Sequence, residues 1–179
     1  MSFQRLVTPA PPRGFTVLEL LIVIAIIAIL VGLAFPVFSG IRSRAQRVQC
    51  TQNLKTLYLG ADLYIQRHGS WPQVNSDDET QFAQLWIAAL APFSVPRRSW
   101  ICPTLQNLLG NPDYDQPENA RIDYGMTSFD DKPTSPHEWP RQPWFIERGD
   151  LHGHGNLIIF ADGSVSDLQT VASSLPTTH

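Results

Sequence analysis

The sequence predicts an α+β protein in which one long N-terminal helix packs on a small antiparallel β-sheet. Three features support this fold class: a long apolar run that continues into an amphipathic pattern, a proline-rich remainder, and a hairpin pattern near the end. The 179 residues include 15 prolines and only 16% charged residues. That composition favours a loop-rich domain over a helical bundle.

The apolar run begins directly after a short basic leader. Residues 20–38 contain no charged side chain. As a helix they would span about 28 Å, close to the ~30 Å hydrocarbon core of a bilayer. We therefore predict a single transmembrane helix over residues 15–38, preceded by the basic leader of residues 1–14.

One carboxylate, Glu19, stands at the start of this run. An ionisable side chain within a membrane segment is costly and usually marks a function. No Lys or Arg lies inside the helix to pair with it. A cut after Gly14 would expose a Phe15 amine one helical turn away, on this chain or a neighbouring one.

Two other interpretations of the N-terminal region stay open. A secretory signal would have a small-x-small cleavage site, and Gly32-Leu33-Ala34 has that form. A plain membrane anchor without assembly is the other. Arg5 and Arg13 precede the run and three arginines follow it closely, so loop charge does not fix the orientation.

The segment at the leader junction resembles the type IV pilin and type II secretion pseudopilin superfamily. The residues that carry the resemblance are Gly14-Phe15-Thr16-Val17-Leu18-Glu19, with Pro36 at the position of a common helix-kinking proline. The resemblance implies cleavage between Gly14 and Phe15 by prepilin peptidase, methylation of the Phe15 amine, and guidance of subunit addition by Glu19.

The same resemblance implies a location and a set of partners. The leader would face the cytoplasm, and the rest of the chain would lie outside the inner membrane as a single-pass protein. Expected partners are other pilin-like subunits in a homo- or hetero-filament, the lipid bilayer, and an inner-membrane assembly platform with its ATPase.

Past residue 38 the helix continues as an amphipathic half over residues 39–68, before an α+β domain over residues 69–179. A first apolar stripe faces one side, and a second faces roughly the other, where we expect it to pack on the domain. Gly69 should end the helix, and Trp71 should fill the top of the core. The first stripe is Ile41, Ala45 and Val48; the second is Cys50, Leu54, Leu57, Ala61 and Tyr64.

The middle of the chain predicts one further helix and one strand. The helix contains Phe82, Leu85, Trp86, Ala89 and Leu90 and closes at Pro92. A short strand is expected around residues 122–125, and the remainder of residues 110–149 is predicted to be loop.

Two cysteines, Cys50 and Cys102, are the only ones in the sequence. In an exported domain they could form a single disulfide. Such a bond would be worth roughly 4 kcal/mol in the chain-entropy model. Two buried free thiols are the alternative, because spacing along the sequence does not show that the residues meet.

An acidic loop offers the best oxygen-rich cluster. Asn111, Asp113, Asp115 and Glu118 alternate with other residues in a way that can surround Ca²⁺. The pattern lacks the glycine and closing glutamate of an EF-hand, and solvated acidic turns are the alternative. No other cofactor is predicted.

The end of the sequence predicts a hairpin over residues 156–168. An apolar strand over residues 157–161 leads into Asp162-Gly163, which suits a type I′ turn, and a return strand runs through Val165 and Leu168. The spacing here resembles the His-x9-Asp-Gly signature of a class of prepilin-type proteins, because nine residues separate His152 from Asp162-Gly163. Residues typical of that class also occur at Cys50, Cys102-Pro103 and Tyr124-Gly125-Met126.

Charge and motifs exclude several function classes. Residues 1–60 carry a net charge of +5 and residues 61–179 one of −8. The basic part suits anionic lipid headgroups, whereas the acidic part argues against nucleic-acid binding. His152, His154 and Asp162 are more simply turn residues than a catalytic metal site. Since no phosphate loop, nucleophile elbow or Cys-x-x-Cys occurs, we predict a structural subunit and no enzyme.

A second function stays open. The protein could be a membrane-tethered binding module that captures a cation, a glycan or an exported protein. Trp139 and Trp144 lie between prolines and are its candidate contact residues, if they are exposed.

Overall fold

The computed structural model describes residues 15–110, 120–150 and 155–174, with the side chains of residues 33–39 left out. The chain divides into two compact units, Met1–Ile41 and Arg42–His179. We call the second unit the head.

The first helix, α1, runs over Val17–His68. Gly69 ends it with a φ of +75°, and its N–H donates to the carbonyl oxygen of Ile65 at 2.7 Å. Glycine adopts this left-handed conformation without a Cβ penalty, so the predicted helix end is confirmed. In the part of the chain that the structure describes, no helix combines the length and the apolarity needed to cross a membrane. The span over residues 15–38 stays a prediction.

The second stripe of α1 forms one wall of the core, as predicted. Cys50, Leu54, Leu57 and Ala61 are fully buried, and Tyr64 packs at the margin. The residues of the first stripe, Ile41, Ala45 and Val48, are exposed.

The next elements are helical. Helix α2 covers Glu79–Leu90, and the Asp78 side chain caps it by accepting from the Gln81 N–H at 2.6 Å. Two 3₁₀ turns follow, Ala91–Phe93 and Arg97–Trp100. Helix α3 covers Pro103–Leu109 and begins with proline, which is favoured at the first helical position. The predicted middle helix is confirmed.

The sheet is a four-stranded antiparallel meander in which neighbours along the chain pair in order. The first strand, the hairpin and the α+β class agree with the prediction. The second strand was not predicted from the sequence, because two prolines and several aromatic residues around it are typical of a loop. The strands are β1, Tyr124–Met126; β2, Pro143–Glu147; β3, Leu157–Phe160; and β4, Val165–Asp167.

The prediction of a type I′ turn in the hairpin is wrong. That turn needs a positive φ at both central residues. Gly163 has a φ of +75°, but Asp162 does not have a positive φ. The Gly163 N–H donates to the Phe160 oxygen at 2.9 Å, and the Phe160 N–H donates to the Ser164 oxygen at 3.0 Å. These two bonds define a three-residue loop that ends in a left-handed glycine.

The return strand is also shorter than predicted. It ends at Asp167, and Leu168 begins helix α4, Leu168–Ser174. The Asp167 carboxylate accepts from the Thr170 N–H at 2.8 Å, which is the bond of a helix N-cap. An N-cap residue directly after a strand stops the strand and starts the helix.

Trp71 is buried in the core, as predicted, and other aromatic side chains surround it. Its ring centroid lies 5.7 Å from that of Trp86, 4.9 Å from Phe129 and 5.2 Å from Trp144. Trp71 and Trp144 are both essentially inaccessible to solvent.

An ion pair joins α1 to the end of the hairpin, since Arg47 Nη2 lies 2.9 Å from Asp167 Oδ2. The hydrogen bonds from Thr170, and then the Arg47 guanidinium, lower the pKa of Asp167 to about 2. The lowered pKa of Asp167 stabilises the fold at pH values above about 3.9, the pKa of an unfolded aspartate. This stabilisation is lost as the pH falls towards 2.

We therefore expect Asp167→Asn to remove part of the acid sensitivity of the head. Asparagine is also a good N-cap, so mainly the charge is lost. The stability difference between wild type and variant should shrink as the pH is lowered from 5 to about 2, measured by denaturant unfolding. Asp131→Asn, at an exposed acid, is the control. A difference that stays constant with pH would contradict the prediction.

Candidate functional site

The first turn of α1 contains a reciprocal capping box. Thr16 Oγ1 accepts from the Glu19 N–H at 3.2 Å, while Glu19 Oε2 accepts from the Thr16 N–H at 3.0 Å and from the Thr16 hydroxyl at 2.8 Å. The carboxylate also lies at the positive end of the helix dipole. Thr-x-x-Glu is the sequence signature of this motif, so the capping role could have been predicted. Glu19 thus has a hydrogen-bond partner within its own chain.

The other predicted N-terminal site residues are only partly described. Phe15 is 76% exposed. Gly14, on the other side of the predicted cleavage site, and the side chain of Pro36 lie outside the described part.

The N-terminal part of α1 presents apolar side chains all around the helix. The large hydrophobic residues between Val17 and Val31 have exposed fractions of 44–82% in the structure. Burying such side chains is worth roughly 1.5–3 kcal/mol each. A helix with this surface calls for an apolar environment that the described residues do not supply.

A second site lies in the core of the head, where Cys50 and Cys102 meet. Both are fully buried thiols, and their sulfur atoms are 2.8 Å apart. Cys102 Sγ also donates to Glu147 Oε1 at 3.0 Å, and Glu147 is fully buried. The hydrogen bond with Cys102, and then burial, raise the pKa of the Cys50 thiol. The sequence placed the two cysteines on buried segments, but gave no sign of Glu147.

Hydrogen bonds hold Cys102 in this position. Its N–H donates to Asp123 Oδ2 at 2.8 Å, and Asp123 forms an ion pair with Arg121 at 2.8 Å. Burial raises the pKa of Asp123, with the bond from Cys102 and the charge of Arg121 opposing that shift. From α1, Asn53 Nδ2 donates to the Ile101 oxygen at 2.8 Å. Cys102 is therefore fixed from both the sheet side and the α1 side.

The donor set of this cluster suits two kinds of chemistry. Ligand atoms of Cys50, Cys102 and Glu147 lie within 4.8 Å of one another. Two thiols at this distance can form a disulfide, and two thiolates with a carboxylate can bind zinc. Structural zinc sites use four ligands; among the described residues, no fourth His, Cys, Asp or Glu joins this group. The predicted calcium ligands Asp113, Asp115 and Glu118 lie outside the described residues.

The turn of the signature hairpin packs against α1. The Tyr58 hydroxyl donates to the Ala161 oxygen at 3.1 Å, and a Cβ on Gly163 would lie 3.3 Å from the Tyr58 ring. Asp162 Oδ1 accepts from the Ser164 N–H at 2.8 Å. Asp162 and Gly163 thus shape a turn that docks on the helix, whereas His152 and His154 lie outside the described residues.

The two candidate tryptophans have different environments. Trp139 is 62% exposed, whereas Trp144 is fully buried and its Nε1 donates to the Pro136 oxygen at 2.7 Å. Only Trp139 is accessible to a binding partner.

Comparison with known proteins finds one family match at the N-terminus and partial matches to known pilins. Residues 11–35 match the family description "Prokaryotic N-terminal methylation motif". A type IV major pilin protein, PilA, of Myxococcus xanthus is 48% identical over 46 residues, which are 26% of this chain and 21% of that protein. A type IV major pilin protein, PilE1, of Neisseria gonorrhoeae is 36% identical over 64 residues, 36% of this chain and 39% of that protein. No solved structure gives a significant match.

The family match thus covers a short motif at the N-terminus of the chain. The chain is also locally similar to type IV major pilins, as the two relatives show. The matched regions span between a fifth and two fifths of the lengths of these relatives. The long helix followed by an antiparallel sheet is consistent with a pilin-like fold.

Proposed function

We propose that the protein is a structural, pilin-like subunit that prepilin peptidase cleaves between Gly14 and Phe15. The mature chain is methylated at the Phe15 amine and assembles into a type IV pilus-like filament or a type II secretion pseudopilus. The observation that carries this proposal is the methylation motif over residues 11–35, within which the large apolar side chains at the start of α1 are exposed. Helix–helix packing with other subunits would bury that surface.

Within this proposal, Glu19 guides assembly by pairing with the Phe15 amine of a neighbouring subunit. The capping box leaves the carboxylate exposed at the helix start, within reach of a second donor. A carboxylate can accept several hydrogen bonds at once, so the cap and the intermolecular pair are compatible. Pro36 would adjust the course of the packed helix.

The proposed location is the inner membrane, with a single pass, the leader in the cytoplasm and the head outside. The uncharged run over residues 20–38 and the basic residues on either side of it support the membrane location. The orientation rests on the resemblance to pilin-like proteins alone. An inner-membrane assembly platform with its ATPase would supply the mechanical work.

Gly14→Ala tests the processing step. We expect wild-type protein from native membranes to begin at N-methylated Phe15 and the variant to retain its leader, as measured by intact mass and N-terminal sequencing. Ala34→Leu is the matched control, because it disrupts the alternative small-x-small site and should leave the Phe15 start unchanged. A chain that begins at Phe35, or an uncut wild-type chain, would overturn the proposal.

The exposed Trp139 favours one second candidate function, a tethered binding module. Exposed tryptophans are frequent at recognition surfaces because they supply a large apolar area with a polar N–H. If Trp139→Ala abolished capture of a glycan or an exported protein while filaments still assembled, binding and assembly would be separate functions of the head.

A further inference from the structure

We propose that Cys50 and Cys102 are joined by a disulfide in the mature protein, and that this bond fastens α1 to the sheet side of the head. The inference rests on the proposed function in one respect, because the head must reach an oxidising compartment. The sulfur atoms are 2.8 Å apart, and an S–S bond is about 2.05 Å long. A movement of less than about 1 Å would close the bond.

The surroundings of the two cysteines fix them for this reaction. Cys50 lies on a regular helix, and Asn53, one turn later, holds the Ile101 carbonyl directly before Cys102. The Cys102 N–H is bound to the buried Asp123. Neither backbone depends on the sulfur contact for its position, so the short sulfur distance follows from the fold.

A disulfide fits the spacing of the sulfurs better than a bound metal does. Around a tetrahedral zinc with Zn–S distances of about 2.3 Å, two sulfur atoms stand roughly 3.8 Å apart. The observed 2.8 Å is well below that separation. Glu147 Oε1 accepts from the Cys102 thiol in the reduced protein at 3.0 Å, and this bond is lost when the disulfide forms, because a disulfide sulfur has no proton to donate.

Formation of the bond is a two-electron exchange with a disulfide-bearing oxidant, either a protein or a small molecule. A thiolate of one cysteine attacks the oxidant, breaks its S–S bond and releases one thiol. The other cysteine then attacks the mixed disulfide, forms the Cys50–Cys102 bond and releases the second thiol. Both cysteine protons end on the two thiols released. Because the folded head buries both sulfurs, the exchange takes place before α1 packs or during local opening.

The bond would act at a particular place on the helix. Among the described side chains from Phe15 onward, Cys50 is the first buried one. A force applied at the N-terminal end of α1 would therefore act on Cys50 before it acts on the rest of the buried stripe. Since the cysteines are 52 positions apart, the closed loop would also withhold roughly 180 Å of extended chain.

Intact mass after thiol alkylation tests the proposal on the full chain from native membranes. Denatured without reductant, the protein should add no alkyl group, and after reduction it should add two. Alkylation of both cysteines without reductant would overturn the proposal, and so would a native mass that includes a zinc ion. Ala45→Cys, at an exposed position of α1, is a positive control that should add one group without reductant.

The same spectrum separates this proposal from the proposed function. Free thiols on a chain that begins at Phe15 would overturn the disulfide alone, whereas a disulfide on an uncut chain would overturn the processing alone. Single-molecule unfolding of the chain held at its two ends gives an independent measurement. The oxidised protein should release roughly 180 Å less chain than the reduced protein, and equal lengths would overturn the bond.

Discussion

Trp144→Ala should destabilise the head by about 3–5 kcal/mol, the usual cost of removing a large buried aromatic side chain. Trp144 contacts the ring of Trp71 at 5.2 Å and that of Tyr58 at 4.8 Å, so it joins the sheet to α1. The variant also leaves the Pro136 oxygen without its Trp144 donor, which adds about 1 kcal/mol or more. A domain typically has only about 5–15 kcal/mol of stability, so most of the margin would be lost.

Trp139→Ala is the matched control for this prediction. The side chain is largely exposed, and surface substitutions usually change stability by less than about 0.5 kcal/mol. Denaturant unfolding of the detergent-solubilised chain, followed by near-ultraviolet circular dichroism, compares the two variants. Equal midpoints for both would show that Trp144 is not part of the packed core.

Glu19→Gln should reduce filament assembly at least about tenfold, as expected for the loss of an ion pair in a poorly solvated setting. Glutamine serves as well as glutamate at the third position of a capping box. The start of α1 therefore persists in this variant, and only the charge is lost. Filament yield in sheared fractions, relative to membrane-held subunit, is the measurement.

A second variant separates the two roles of the N-terminal turn. Thr16→Ala removes the cap from α1 but keeps the Glu19 charge, so its filaments should form at near wild-type yield. If Glu19→Gln assembled normally and Thr16→Ala did not, then Glu19 would act through the helix cap and not through a neighbouring subunit.

The sequence was sufficient to predict the elements whose signals are local. The period of the second stripe on α1, the stop at Gly69 and the apolar strand before Asp162 depend on residues close together in the chain. Each of these predictions agrees with the structure. The capping box of Thr16 and Glu19 has an equally local signal, and reading that spacing would have revealed it.

The features that the sequence did not predict depend on distant partners. Strand β2 begins at Pro143, a position where a strand tolerates proline, and its identity comes from pairing with β1 and β3. Glu147 is buried in that strand, and its thiol donor in the reduced protein, Cys102, lies 45 positions away in the sequence. No local pattern marks a carboxylate for burial when its partner arrives only with the tertiary fold.

The docking of the hairpin on α1 has a consequence for the order in which the protein matures. Two side chains of α1 bind residues near the end of the sequence. Tyr58 donates to the carbonyl oxygen of Ala161, 103 positions further along the chain, and Arg47 pairs with Asp167, 120 positions further along. The ribosome makes α1 first and the hairpin that packs on it last. A nascent chain therefore exposes the buried stripe of α1 until synthesis is nearly finished. A chain cut short before residue 157 would lack both strands of the hairpin. Such a fragment would carry the same N-terminal motif as the intact protein, and the uncovered stripe would distinguish it for proteases.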